Sequence, residues 1–420
     1  MGYFIIEGGH MLCGSVRVQG AKNAVLPILS ACLLNGGTSI IHNCPTLSDV
    51  TASLDILRFL GCDVDLSGNT ATINSKRACT DFIPEVLMQK MRSSIIFAGS
   101  MLSRCKRASV SLPGGCVLGK RPIDIHLSAF EKLGADILEN DGQIFCSIDK
   151  IKPCEIVLPF PSVGATENIM LISCISDGVT TIRNAAKEPE IVDLQNFLNA
   201  MGAKVLGAGS DTIVIKGVER LHDAEFTIMP DRIAACTYMA AVTVAGGEAE
   251  FLGVNPKHFE CVTDIMLRCG ADIKCGADRV YIKAPEKIKS IGKIVTMPYP
   301  GFPTDCQSVM MAMLATADGE SEIEEKIFDE RFANANELVK MGANIKVRGA
   351  SAYIKGVEKL HSAPVFARDL RSGASLVVAA LGVEGQTEVF NTKYIDRGYD
   401  CFDENIKKLG GVITRVDDAF

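Results

Sequence analysis

A cysteine, a carboxylate and a set of recurring cations stand where this chain could do chemistry. Cys116 lies in the glycine-rich run LPGGCVLGKRP, between Leu112 and Pro122, with Lys120 and Arg121 just after it. Glycines leave a thiol accessible, and neighbouring cations favour its thiolate. Asp305 ends the run PGFPTD, where a carboxylate can take a proton. The cations are Lys22 (beside Asn23), Arg92, Arg232, Arg331, Arg368, Arg371 and Arg397. Such groups grip phosphates and carboxylates. A reactive thiol, a base and several anion-binding groups suit a multiply anionic small molecule.

Each feature has a plainer reading. Gly114, Gly119 and Lys120 fit a phosphate loop, but Arg121 and Pro122 stand where Ser or Thr and a helix start should be. The loop fails as a nucleotide loop, which leaves a turn or a mobile segment built around Cys116. Asp305 reads equally as the N-cap of a helix or as a base. Single charged residues at helix starts are ordinary caps. The same placement at every repeat of the chain suggests one shared face.

Composition narrows the class. Lys+Arg is 43 and Asp+Glu is 50, a net charge of -7, with no basic run, so a nucleic-acid surface is not expected. The 16 cysteines and 6 histidines are scattered without ligand spacing, so neither a metal nor a cofactor is expected. The cysteines read as small core residues of a reducing cytoplasm. The N-terminus has no signal-peptide pattern. The longest apolar stretch, 233–247, is too short to span a membrane.

The elements that must position these residues repeat. Six glycines follow an amphipathic stretch and precede a short strand pattern: Gly61, Gly134, Gly202, Gly270, Gly342 and Gly410. Their spacings are 73, 68, 68, 72 and 68 residues. Near-constant spacing marks a repeated structural unit, and glycine suits the C-terminal cap of a helix. Each unit also holds an earlier helix that is apolar almost all round, as in SSIIFAGSMLSRC, and must be buried on every side. A second echo, KGVERLH from Lys216 and KGVEKLH from Lys355, lies 139 residues apart, or two units. The expected fold is α/β: six units of about 70 residues, three per domain, helices inside and sheets outside. The expected domains are 22–229, and 1–21 with 230–420.

Beyond these readings, the chain resembles the UDP-N-acetylglucosamine enolpyruvyltransferases over essentially its whole length. The resemblance rests on GAKNAVLPIL (20–29), MRSSI (91–95), LPGGCVLGKRPIDIHL (112–127), SVGATENIM (162–170), PGFPTDCQ (300–307), DLRSGASLVVA (369–379) and IDRGY (395–399). It implies a two-domain inside-out α/β barrel that closes over substrate. It implies transfer of the enolpyruvyl group of phosphoenolpyruvate to the 3'-hydroxyl of UDP-N-acetylglucosamine. That is the first committed step of bacterial peptidoglycan synthesis, and so of cell-wall growth, cell shape and division. By resemblance, Cys116 is the general acid, can add to phosphoenolpyruvate, and is the nucleophile trapped by fosfomycin. Asp305 is the base. Lys22, Arg121 and Arg397 hold the phosphate end, with Arg331 and Arg371 near the carboxylate, and Asn23 also binds phosphoenolpyruvate. Arg92, Arg121, Pro122, Ile123, Asp124, Ile125, Ser162, Val163, Gly164, Asp305 and Ile327 meet the sugar nucleotide. A cytoplasmic protein is expected, and the sequence leaves its oligomeric state open, a monomer being plausible.

Some positions depart from the family pattern. Ala234 and Cys236 stand where Glu and Gly are usual, RFANA (331–335) replaces RFMHV, and Tyr394 replaces a histidine. The catalytic positions are intact, and the changes bear on packing and loop coupling. A binding or regulatory copy is therefore the alternative of a different class. A shikimate-pathway activity is the alternative among enzymes, and the cysteine loop argues against it.

Overall fold

A computed structural model describes residues 2–112 and 123–417. The chain divides into two compact units, one of residues 20–112 and 123–229, the other of 2–19 and 230–417. Each has its own apolar core. Cys116, Lys120, Arg121 and Pro122 lie outside the described residues.

The six apolar helices are the inner ones. In the first unit they are Lys22–Ala31, Ile96–Cys105 and Val163–Ser173. In the second they are Arg232–Ala245, Thr304–Leu314 and Leu370–Leu381, and each of these packs on the other two. A helix without a polar face has no favourable place at a surface, so the sheets and outer helices enclose it. Eight of the fifteen described cysteines are buried, and all fifteen are free thiols.

The outer helices, such as Ser48–Phe59 and Glu260–Arg268, each end two residues before one of the six repeat glycines. Those glycines have φ between +85° and +101°, the left-handed region that closes a helix C-terminus. The KGVE echo also has a cause. A Cβ on Gly217 would lie 2.1 Å from the Ser176 carbonyl oxygen, and one on Gly356 1.7 Å from that of Ala317. Val218 and Val357 then donate to the carbonyls at the inner-helix ends, Cys174 and Ala315.

In three repeats the strands entering and leaving an inner helix pair in parallel. They are Glu155–Val157 with Val179–Arg183, Gly292–Val295 with Glu320–Glu324, and Val365–Phe366 with Gly385–Phe390. Two repeats exchange strands. Leu12–Arg17 precedes the helix Lys22–Ala31 but pairs with Gly247–Leu252, while Ala224–Thr227 precedes Arg232–Ala245 but pairs with Thr38–His42. The chain passes between units at these two points, between strand and helix. Strand Tyr3–Gly8 is interior to its sheet, between Gly385–Phe390 and Val412–Val416.

Candidate active site

In the unit that holds Asp305, three elements converge on its carboxylate. Asp305 is the second residue of helix Thr304–Leu314, and Pro303 is the N-cap. Of the two readings open from sequence, the N-cap is therefore not its position. Arg331 Nη2 donates to Oδ1 at 2.6 Å, and Arg371 Nη2 donates to Oδ2 at 3.1 Å. Both arginine side chains are 4% exposed, against 27% for Asp305. The carboxylate is thus the more exposed end of a buried cationic pair.

Arg371 is held from behind. Its Nη1 donates to the Tyr399 hydroxyl at 3.2 Å, and that oxygen lies 2.8 Å from Thr237 Oγ1. Burial opposes the charge of Arg371, but Asp305, Tyr399 and Asp231 outweigh it and hold the guanidinium above its ordinary value. Burial also pushes the Tyr399 phenol up, against the pull of Arg371. Asp231 caps helix Arg232–Ala245 by accepting the Ile233 and Ala234 amides at 2.9 Å. Asp369 caps Leu370–Leu381 in a reciprocal box with Ser372. Arg397 ends the short helix Thr392–Arg397 and is half-buried, as is Ile327.

The other unit carries a second cluster. Lys22, first residue of its helix, pairs with Asp49 at 2.7 Å, with exposures of 11% and 4%. Asn23 follows it, half-buried. Arg92 opens the short helix Arg92–Ile95, one turn ahead of the inner helix rather than on it. Ser162 caps Val163–Ser173 by accepting the Ala165 amide at 3.3 Å. Ile123 is buried, Ile125 half-buried and Asp124 exposed.

Sequence reasoning missed a histidine that faces Arg92 and the helix Val163–Ser173. His126 is 8% exposed, and the Asn168 amide donates to its Nδ1 at 2.8 Å. Asn168 also accepts the Gly99 amide at 3.0 Å, linking two inner helices. A Cβ on Gly164 would lie 3.0 Å from His126 Cε1. Burial first, then the positive charge of Arg92, lowers the imidazole to about 4, against Asp124. His126 is therefore a neutral imidazole beside Arg92 and Gly164. Both residues sit inside quoted motifs, PIDIHL and ATENIM, but only their contact reveals the link.

Among the described residues no group of three or more His, Cys, Asp or Glu could hold a metal ion. Among them, too, no helix is long and apolar enough to cross a membrane.

The sequence model of the family described as EPSP synthase (3-phosphoshikimate 1-carboxyvinyltransferase) matches residues 6–406. UDP-N-acetylglucosamine 1-carboxyvinyltransferase 2 of Caldanaerobacter subterraneus subsp. tengcongensis is 49% identical, over 99% of this chain and 100% of that protein. UDP-N-acetylglucosamine 1-carboxyvinyltransferase 1 of Symbiobacterium thermophilum is 46% identical, over 98% and 95%. The solved enolpyruvyl transferase NikO from Streptomyces tendae has a TM-score of 0.89 at 25% identity, over 99% and 98%. An EPSP synthase from Acinetobacter baumannii shares the fold, with a TM-score of 0.76 at 19% identity over 99% and 100%. Fold and relatives define an enzyme class, the enolpyruvyl (carboxyvinyl) transferases, with an inside-out α/β architecture. Within it, the chain belongs to the UDP-N-acetylglucosamine 1-carboxyvinyltransferase family.

Proposed function

We propose that this chain moves the enolpyruvyl group of phosphoenolpyruvate to the 3'-hydroxyl of UDP-N-acetylglucosamine and releases phosphate. It thereby serves peptidoglycan synthesis in the cytoplasm. The observation that carries the reading is Asp305, a partly open carboxylate backed by two buried arginines. Relatives of the same name, at 45–49% identity over nearly the whole chain, support the substrate pair.

The chemistry needs two proton transfers. Asp305 takes the proton of the sugar hydroxyl, whose oxygen attacks C2 of phosphoenolpyruvate, while the Cys116 thiol delivers a proton to the C3 methylene. The product is a tetrahedral adduct bearing phosphate and carboxylate. Loss of a C3 proton then expels phosphate and restores the double bond. Lys22, Arg121 and Arg397 hold the phosphate, Arg331 and Arg371 face the carboxylate, and Asn23 also binds phosphoenolpyruvate. Arg92, Ile123–Ile125, Ser162–Gly164 and Ile327 are assigned to the sugar nucleotide, with residues 121 and 122. We assign residues 22–229 to one catalytic domain and 1–21 with 230–420 to the other.

The test is phosphate release from phosphoenolpyruvate with and without UDP-N-acetylglucosamine, and with shikimate 3-phosphate instead. Release that depends on the sugar nucleotide alone is expected. Release driven by shikimate 3-phosphate would move the activity to the other branch. Binding without release would mark a regulatory copy.

A further inference from the structure

Glu325 has no part in the chemistry described above, yet two ends of the Asp305 loop and the start of the Ile327 loop meet on it. It is 4% exposed. Its Oε1 accepts the Thr296 hydroxyl at 2.8 Å and the amides of Ile327 and Phe328 at 2.8 and 3.2 Å. Its Oε2 accepts the Thr304 hydroxyl at 2.8 Å. Thr296 and Thr304 bracket the turn through Gly301 that leads into helix Thr304–Leu314. Thr296 Oγ1 in turn accepts the Lys326 amide at 2.9 Å. The Thr304 carbonyl accepts Arg331 Nε and Nη2, each at 3.4 Å.

We infer that Glu325 is a positioning residue with two separable arms: through Thr304 it sets Asp305 and Arg331, and through Thr296 and the 326–328 amides it sets the Ile327 loop. The inference rests on the transferase reading above. The physical reason is the donor set. All four groups donate to it, and two are main-chain amides of a half-buried loop that would lose this acceptor. A carboxylate accepts all four, whereas a glutamine would turn an N–H toward one side of the set. Asp305 follows Thr304 directly, so a slack Thr304 displaces the base, and displacements of about 1 Å can cost on the order of 100-fold in rate.

The two arms predict different kinetic signatures. T304V, T296V and E325Q are compared with the wild type by phosphate release and by calorimetric binding of UDP-N-acetylglucosamine. T304V is expected to lower kcat about tenfold and leave the Kd within about twofold. T296V is expected to raise the Kd about fivefold with a smaller effect on kcat. E325Q should show the T304V signature, because its amide oxygen keeps the three donors of the Ile327 side and its N–H faces Thr304. Wild-type values in both threonine variants, or one common loss of kcat and Kd in all three, would overturn the assignment. A wild type that releases no phosphate defeats the transferase reading instead. Amide exchange at Ile327 and Phe328 then decides on Glu325, since unchanged exchange in E325A, which removes the acceptor, would rule out its hold on that loop.

Discussion

At the scale of the residue, Asp305 shows how a local ambiguity is resolved. PGFPTD fits a helix cap and a base equally well. Pro303 takes the cap position, and Arg331 and Arg371 claim the carboxylate. Those arginines come from 26 and 66 residues away, so no local pattern joins them to Asp305. Asp305→Asn keeps the shape and removes the base. Turnover should fall by about 10²–10⁴, measured as phosphate release, with UDP-N-acetylglucosamine binding retained. Near-normal turnover would return Asp305 to a purely structural role. Cys116→Ser should also cut turnover sharply at neutral pH while circular dichroism and melting stay those of the wild type, because a hydroxyl is a far weaker acid than a thiol. A fully active serine variant would end the case for Cys116 as the acid.

At the scale of the element, the repeat places inner-helix starts at Lys22, Ser162, Asp231, Asp305 and Asp369, but burial sets what each side chain becomes. Helix Pro189–Ala200 carries Asp193, 8% exposed. Burial pushes its carboxyl up to about 7, the Met229 amide at 3.1 Å pulls it down, and Glu190 adds to the rise. Below about pH 4 the group is protonated folded or unfolded. As pH rises from about 4 to about 7 the unfolded chain gains a solvated carboxylate while the folded one stays protonated, so stability is lost across that window. Asp193→Asn should therefore stabilise the protein by up to about 4 kcal/mol at pH 8 and by little at pH 4. Thermal unfolding across that range is the measurement, and an equal shift at both ends would contradict the sign. The repeat glycines were legible because a left-handed cap leaves a sequence mark. His126 and Glu325 were not, because their roles consist of contacts with Asn168, Thr296 and Thr304 that no spacing encodes.

At the scale of the whole molecule, the N-terminal strands are the sharpest test. Residues 2–19 supply an interior strand to one sheet and an edge strand to another, both in the unit of residues 230–417. A chain starting at Gly20 should lose amide protection across 230–417 and keep it across 20–112 and 123–229. Uniform loss, or none, would mean the two units do not unfold as separate bodies.

The sequence by itself determined the repeat, the α/β class, the buried helices and the family, because each leaves a periodic or contiguous trace that needs no third dimension. The tertiary structure alone decided which strands exchange between repeats. It alone decided that Arg331 and Arg371 share Asp305, that His126 is buried neutral beside Gly164, and that Glu325 gathers two loops. The reason is physical. Those outcomes are set by which donors and acceptors lose water together, and that is fixed only when distant segments pack.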